Sequence, residues 1–283
     1  MRKLDLAGRT VLITGACGGL GTALSNALRS KGAKIAVLDL RQEAAAAEAE
    51  RLGGGTQARG WAVDVRDLAD LERVTAEAAA HFGGIDVVVA AAGVLGASAT
   101  IDATDEEDWS RVVDVNLNGV WRTFKAASPH VAKRRGHMLA MSSMIAYVHP
   151  PLLGSYAASK AGVAALCDVT RLELRPQGVT VGSAHPVIFQ TGMIGDALGS
   201  PAAVELVDDF TGVFKRAQLE DVVAEMVRGI ERRSPRITVP RGHRATTFVP
   251  GLAQAALERL AFRPKQINRA IELGSVAPET TQG

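Results

Sequence analysis

A glycine-rich segment near the start of the chain restricts the possible folds more than any other feature. Residues 14–21 read TGACGGLG, directly after the aliphatic run RTVLI of residues 9–13 and before leucines at helical spacing. A strand that enters a helix through such a glycine turn typically binds a dinucleotide, with the pyrophosphate at the helix N-terminus. The segment therefore predicts a nucleotide-binding unit, in which the cofactor contacts are Gly15, Gly19, Leu20 and Gly21.

An acidic residue follows the next predicted strand. Asp39 closes the run KIAVL of residues 34–38, about twenty residues beyond the glycines, where a ribose-binding carboxylate is expected. A carboxylate accepts hydrogen bonds from both ribose hydroxyls of NAD, whereas it repels the 2′-phosphate of NADP. Two alternatives stay open, because Arg41 could turn toward a phosphate and Asp39 could instead cap a helix. We favour NAD, with NADP as the less favoured cofactor.

Strand-like and helix-like segments alternate along most of the remaining sequence. Further strands are predicted at residues 61–65, 85–89, 137–141, 179–183 and 237–239, and helices at 106–115, 117–133 and 220–232. The first of these helices is predicted to begin at a Thr104 cap, with Glu107 three residues later. The alternation predicts an α/β fold, a Rossmann-like doubly wound parallel sheet of about seven strands flanked by helices. We assign residues 1–245 to this catalytic domain, with a substrate lid at residues 187–215.

Three polar side chains are the candidates for catalysis. Tyr156 and Lys160 are four residues apart in an alanine-rich run that is typical of a helix, so they share one helix face. An ammonium group beside a phenol favours the phenolate, which lowers the pKa of Tyr156 toward that of a general acid or base. Ser143 ends a predicted strand, where its hydroxyl could stabilise charge on a substrate oxygen. The neighbouring Ser142 is interpreted as strand packing.

These motifs, in this order, resemble those of the short-chain dehydrogenase/reductase family from about Leu6 to Pro240. The positions that carry the resemblance are the TGxxxGxG pattern, Asp39, Asp64 with Val65, Gly93, Asn116 in VNLNG, Ser143, the YxxxK pair at Tyr156 and Lys160, and Pro186 with Thr191 and Met193. The resemblance implies that Asp64, Val65, Gly93 and Thr191 contact the cofactor, together with Tyr156 and Lys160. The resemblance implies hydride transfer between NAD and a secondary alcohol or its ketone, with Tyr156 as acid and base. It also implies that Lys160 holds the nicotinamide ribose, that Asn116 anchors a water in a proton relay, and that the protein is a homo-oligomer, a tetramer or a dimer.

Two other functions remain as alternatives at this point. One is an NADP-linked carbonyl or ketoacyl reductase, against which Asp39 argues because of its charge. The other is a catalytically silent NAD-sensing protein, which would have no need of Ser143 or Tyr156.

Two positions depart from the family pattern. The family usually has Asn-Asn-Ala-Gly after the fourth strand, whereas this chain has AAAG at residues 90–93, which questions local stability and NAD affinity. The family usually has Pro-Gly beside the nicotinamide, whereas this chain has Pro186 followed by Val187. Because valine fills space that glycine leaves open, we expect a reshaped pocket.

The segments that follow Ser143 and Pro186 are mostly apolar. They predict a lipophilic secondary alcohol or ketone as substrate, in a pocket formed by Met144, Ile145, Val187, Phe189 and Met193. The alternative is that these residues only close the hydrophobic core.

Composition limits the partners and the compartment. A net charge of +2 argues against wholesale nucleic-acid binding, and no apolar run approaches the length of a transmembrane helix. The first residues lack the apolar stretch of a signal peptide, and two cysteines make no disulfide framework. We therefore expect a cytoplasmic protein, and we predict no metal site. Cys17 is interpreted as a small residue that fits the glycine loop rather than as a reactive thiol.

The C-terminal part is the most basic. Residues 228–269 hold ten Arg and Lys against two Glu, with apolar residues at helical spacing between 249 and 261. We predict a basic amphipathic helical extension over residues 246–273, followed by a flexible tail at 274–283. Such a helix could make peripheral contact with an anionic membrane or dock on its own domain or a sister subunit, and we favour docking.

Overall fold

Seven parallel strands form the centre of the computed structural model, which describes residues 3–189, 217–252, 254–255, 268–269 and 271–272. The strands are β1 (Thr10–Thr14), β2 (Lys34–Asp39), β3 (Ala58–Ala62), β4 (Val87–Ala90), β5 (His137–Met141), β6 (Thr180–Pro186) and β7 (Arg236–Val239). Their order in the sheet is β3-β2-β1-β4-β5-β6-β7. The order reverses between β1 and β4, so a crevice opens at the carboxyl ends of these strands. The predicted fold class is confirmed.

Helices cover both faces of the sheet. They are α1 (Gly19–Ser30), α2 (Gln42–Arg51), α3 (Leu68–Phe82), α4 (Glu106–Val113), α5 (Gly119–Lys133), α6 (Gly154–Leu174) and α7 (Leu219–Arg232). One apolar cluster includes Leu24 of α1 and Ile230 of α7, and a second includes Leu71 of α3 and Phe124 of α5. Because both faces are buried, β4 is apolar throughout, and β1 has three buried apolar residues, Val11, Leu12 and Ile13, between its two terminal threonines. Among the described helices, none has the length and apolarity that a bilayer span requires.

Some element boundaries differ from the sequence-based expectation. The cap of α4 is Asp105, whose carboxylate accepts hydrogen bonds from the backbone N–H groups of Glu107 and Asp108 at 2.9 and 3.0 Å. The Thr104 hydroxyl donates instead to the carbonyl of Thr100 at 2.8 Å, so the predicted Thr cap was wrong. A π-helical turn, Asp114–Asn118, joins α4 to α5 where two separate helices were expected.

The C-terminal chain contacts the catalytic domain in the described residues. Arg236 donates to the carbonyl of Thr247 at 3.2 Å, and the backbone N–H of His149 donates to the side-chain oxygen of Gln254 at 2.8 Å. Residues 250–252 and 254–255 are helical. These contacts favour docking over membrane binding for the start of the extension. The predicted tail at 274–283 lies outside the described residues.

Removal of residues 245–283 is expected to lower the melting temperature, because it deletes the contacts that Arg236 and His149 make with the extension. Each lost hydrogen bond is worth about 1 kcal/mol, so the decrease should be about 5 °C. Thermal denaturation measures it, and removal of only residues 256–283 is the matched control that keeps Gln254. Salt-sensitive binding of the full-length protein to anionic vesicles would contradict docking and indicate a membrane-surface helix.

Candidate active site

A cleft of about 810 Å³ crosses the carboxyl ends of the strands. It is lined by fifteen of the predicted site residues, which lie between positions 15 and 189: Gly15, Gly19, Leu20, Gly21, Asp39, Asp64, Val65, Gly93, Ser143, Met144, Ile145, Tyr156, Lys160, Val187 and Phe189. Asn116 is fully buried and is not among the lining residues. Thr191 and Met193, like most of the proposed lid, lie outside the described residues.

At one end of the cleft, the backbone of the glycine loop (residues 14–21) lies very close to other backbone atoms. Gly15 has a φ of +69°, and a Cβ added to it would lie 2.7 Å from the Cα of Ala92. A Cβ added to Gly21 would lie 2.2 Å from the carbonyl oxygen of Gly15. No side chain caps α1 at Gly18, so the first N–H groups of this helix are available to an anion. The loop therefore fits the pyrophosphate of a dinucleotide.

Asp39 lies beside this loop with a fixed carboxylate. Its two oxygens accept hydrogen bonds from the backbone N–H groups of Cys17 and Leu40, each at 2.9 Å. Burial, followed by the charge of Asp39, raises the pKa of the Cys17 thiol to about 12. A thiol with this pKa is not a nucleophile at neutral pH, which agrees with the interpretation of Cys17 as a small fitting residue.

Arg66 is a cleft residue that the sequence interpretation missed. Its guanidinium donates hydrogen bonds to both carboxylate oxygens of Asp64, the shortest of them 2.7 Å long. The hydrogen bond from Arg66 holds the pKa of Asp64 below its usual value. The charge of Arg66 is therefore compensated within the protein, which makes it a weaker site for a 2′-phosphate than an unpaired arginine. The available signal was the position of Arg66 two residues after Asp64, one of the positions that carry the family resemblance.

Tyr156 and Lys160 lie on one face of α6, as predicted. The ammonium nitrogen of Lys160 lies 5.5 Å from the centre of the Tyr156 ring, and it donates a hydrogen bond to the carbonyl of Met141 at 2.9 Å. Lys160 is buried, whereas Tyr156 is partly exposed to the cleft. The pair therefore lies where β5 ends and a substrate can reach the phenol.

The predicted decrease in the pKa of Tyr156 was wrong. Desolvation raises the pKa of Tyr156 to about 12, although its hydrogen bond with Ser143 opposes this shift. Burial also lowers the pKa of Lys160 to about 8. Because the phenol loses its hydration, the neutral form is favoured more than the nearby ammonium favours the phenolate. Tyr156 is therefore protonated at neutral pH, which suits a proton donor.

Ser143 lies next to Tyr156 at the end of β5. Its hydroxyl accepts a hydrogen bond from the backbone N–H of Ile145 at 3.3 Å and donates one to the carbonyl of Pro186 at 3.5 Å. These are long hydrogen bonds, so the hydroxyl can exchange them for a substrate oxygen. Ser142 is buried and donates to the carbonyl of Lys160 at 2.9 Å, which agrees with its interpretation as a packing residue.

Asn116 connects two elements beneath the cleft. Its side chain accepts from the N–H of Val94 at 2.8 Å and donates to the carbonyl of Val94 at 2.9 Å. It also donates to the hydroxyl of Ser159 on α6 at 3.3 Å. A Cβ added to Gly93 would lie 3.1 Å from the Asn116 side-chain oxygen and 3.6 Å from the Lys160 ammonium. Asn116 therefore lies near Lys160, and its role in a water relay stays a prediction.

The substrate end of the cleft is apolar. Met144, Val187 and Phe189 are buried in the apolar cluster of one sheet face and also line the cleft. The backbone N–H of Val187 donates to the carbonyl of Val239 at 2.8 Å, which extends the pairing of β6 with β7. Valine is therefore accommodated at the position where the family usually has glycine.

Comparison with known proteins agrees with this geometry. A family model described as short chain dehydrogenase matches residues 9–199. The chain belongs to the short-chain dehydrogenase/reductase family, a class of NAD(P)-dependent oxidoreductases.

Two relatives and one solved structure illustrate the similarity. An uncharacterized NAD-dependent oxidoreductase of Mycobacterium tuberculosis is 36% identical over 206 residues, which cover 67% of this chain and 74% of the relative. The D-threitol dehydrogenase of Mycolicibacterium smegmatis is 36% identical over 203 residues, covering 68% and 78%. The structure of a short chain dehydrogenase/reductase from Burkholderia phymatum in complex with NAD has a TM-score of 0.78. It is 23% identical and covers 92% of this chain and 99% of that one, which shows a shared fold.

Proposed function

We propose that this protein interconverts a secondary alcohol and its ketone with NAD as cofactor. The observation that carries the proposal is one continuous cleft with two chemically different ends. Asp39 and the uncapped N-terminus of α1 lie at one end, and Ser143, Tyr156 and Lys160 lie at the other. The NAD-dependent oxidoreductase of Mycobacterium tuberculosis supports the choice of cofactor.

The roles of the side chains follow from their positions. When bound, NAD⁺ supplies the acceptor for the hydride that leaves the carbinol carbon. The Ser143 hydroxyl donates to the substrate oxygen and holds it against Tyr156, which takes the alcohol proton in oxidation and returns it in reduction. The Lys160 charge stabilises the phenolate that forms, and by the family resemblance the Lys160 ammonium would hold the nicotinamide ribose. Asn116 supports Lys160 from below.

We expect NAD to give at least about tenfold higher kcat/KM than NADP, a difference of roughly 1.4 kcal/mol. The reason is the fixed carboxylate of Asp39, which would meet the 2′-phosphate of NADP as a like charge. Steady-state kinetics with both cofactors measure the ratio, and the Asp39→Ala, Leu40→Arg double variant should shift it toward NADP. Equal efficiencies, or an NADP preference that Arg41→Ala removes, would contradict the assignment.

We infer that the substrate is lipophilic, because Met144, Ile145, Val148, Leu152 and Phe189 line the cleft. The D-threitol dehydrogenase similarity favours a second candidate class, the polyols. A panel that compares aliphatic and cyclic secondary alcohols with threitol and related polyols, followed by absorbance of the reduced cofactor, distinguishes the two. The proposal predicts that kcat/KM rises with the apolar surface of the alcohol. A preference for polyols would contradict it.

Oxidation is expected to accelerate with rising pH, because the pKa of Tyr156 is about 12 and only its phenolate can take the alcohol proton. The kcat/KM for oxidation should rise up to about tenfold per pH unit until the apparent pKa of the coupled Tyr156–Lys160 site. Reduction needs the protonated phenol, so its kcat/KM should be constant near neutral pH and decrease at high pH. An oxidation rate that is independent of pH, with hydride transfer limiting, would argue against Tyr156 as the base.

We also propose that the protein is a cytoplasmic homo-oligomer, a dimer or a tetramer. Exposed apolar side chains on α5 and α6 support self-association: Trp121, Val169 and Leu172 are 45%, 54% and 68% exposed. Two free cysteines are compatible with a reducing compartment. Sedimentation equilibrium that finds a monomer at micromolar concentration would exclude the oligomer.

A further inference from the structure

His185 is a buried histidine beside the active site that the proposed chemistry does not use. It lies in β6 directly before Pro186 and is 0% exposed. One ring nitrogen, Nδ1, lies 3.2 Å from the backbone carbonyl oxygen of Ser143. The other, Nε2, lies 2.7 Å from the hydroxyl of Ser183 and 3.5 Å from the hydroxyl of Tyr147.

These partners determine which ring nitrogen carries the proton. A carbonyl oxygen only accepts hydrogen bonds, so Nδ1 must be the donor to Ser143. Nε2 is then the acceptor in the neutral ring, and the Ser183 hydroxyl donates to it. The polar contacts run in one direction, from the hydroxyl of Ser183 through the ring of His185 to the carbonyl of Ser143.

The surroundings of His185 keep the ring in place and neutral. The Tyr147 ring packs against it with centroids 4.9 Å apart. Arg236 of β7, Asp168 and Lys160 of α6 are the charged groups that influence it. Burial is the largest effect and lowers the pKa of His185 to about 4, so the ring is uncharged at neutral pH and the hydrogen-bond direction is maintained.

The carbonyl of Ser143 belongs to the residue whose hydroxyl is proposed to contact the substrate. It also accepts a hydrogen bond from the N–H of Ala146 at 3.1 Å, while the Ser143 hydroxyl accepts from the N–H of Ile145. Rotation of the peptide that contains this carbonyl would therefore move the hydroxyl relative to Tyr156. On the basis of the proposed function, we propose that His185 is a positioning residue, which fixes the Ser143 hydroxyl toward the substrate oxygen by donating from Nδ1 to the Ser143 carbonyl.

Hydrogen exchange tests this proposal without a substrate. His185→Leu removes the donor, whereas His185→Asn keeps an amide N–H at the position of Nδ1. The loss of a hydrogen bond of about 1 kcal/mol should speed exchange of the Ile145 and Ala146 amides about fivefold in the Leu variant. The Asn variant should restore slow exchange. In the wild type, nitrogen NMR of His185 should show the neutral tautomer with the proton on Nδ1.

Kinetics then test whether His185 acts through Ser143. With any alcohol that the enzyme oxidises, His185→Leu should lower kcat about tenfold or more and leave the KM for NAD unchanged. In a Ser143→Ala background the same change should lower kcat less than about twofold, because the group that it positions is gone. His185→Asn should recover most of the activity in the wild-type background.

Three results would overturn the proposal. The first is a proton on Nε2 of His185 in the wild type. The second is unchanged exchange of the Ile145 and Ala146 amides in His185→Leu. The third is that the effects of His185→Leu and Ser143→Ala on kcat multiply in the double variant, as they would for independent residues. A melting temperature that falls equally in the Leu and Asn variants, with no recovery of exchange by Asn, would indicate a structural role only. If no alcohol in the panel is oxidised, the proposed function fails, while the exchange and NMR results still decide the role of His185.

Discussion

Replacement of Tyr156 by phenylalanine is expected to lower kcat about a thousandfold or more, within the range that general acid–base catalysis contributes. The substitution removes only the hydroxyl that is proposed to exchange a proton with the substrate, and it keeps the aromatic ring, which lies 5.5 Å from the ammonium of Lys160. The Kd for NAD should therefore change less than about threefold. Stopped-flow measurement of cofactor reduction and titration of NAD by fluorescence check the two parts separately.

The second tyrosine of the chain provides a matched control. Tyr147 is buried, and its hydroxyl lies 3.5 Å from His185 rather than in contact with Ser143. Tyr147→Phe should therefore cost far less in kcat than Tyr156→Phe. Turnover of Tyr156→Phe within tenfold of the wild type would show that another group serves as the acid and base.

Replacement of Lys160 by alanine is expected to damage both catalysis and cofactor binding. Loss of the positive charge removes the stabilisation of the Tyr156 phenolate, so kcat for oxidation should decrease about a thousandfold. The Kd for NAD should rise about tenfold, because Lys160 holds the nicotinamide ribose in the proposed mechanism. Steady-state kinetics at several pH values, with calorimetric titration of NAD, measure both effects.

A second variant is needed to separate the loss of stability from the loss of charge at position 160. Lys160 is buried and donates to the carbonyl of Met141, so alanine leaves a cavity and an unpaired acceptor. Lys160→Met fills most of the volume without the charge, and it should lose as much activity as Lys160→Ala while melting at a higher temperature. Activity that returns in the Met variant would show that packing, and not charge, is what Lys160 provides.

The sheet and its crevice could be predicted from local sequence patterns. The strand runs around Ile13 and Val88 are apolar because both faces of a parallel sheet are covered by helices. The glycine loop needs Gly15 because the backbone there has a positive φ and approaches Ala92 closely. Element ends were less predictable. Asp105 and Thr104 are both good caps by residue type, and the neighbouring carbonyl of Thr100 decided which one caps α4.

The residues of the candidate site could also be predicted from the sequence, whereas their electrostatic properties could not. The identity of Ser143, Tyr156 and Lys160, and the carboxylate of Asp39, could be read from spacing, because each follows a predicted strand or shares a helix face. The roles of these residues remain predictions. Only the tertiary structure determined the direction of the pKa shift of Tyr156, since its main cause is the burial of the phenol in the folded chain.

The sequence by itself determined the fold class, the place of the cofactor loop and the residues that meet at the end of β5. It could not indicate that His185 contacts the carbonyl of Ser143 or that Arg66 neutralises Asp64. Periodicity and motif spacing report local backbone geometry, which is encoded within a few residues. Hydrogen-bond partners, burial and charge compensation between distant segments depend on how the elements pack, and these tertiary contacts set the electrostatics of the site.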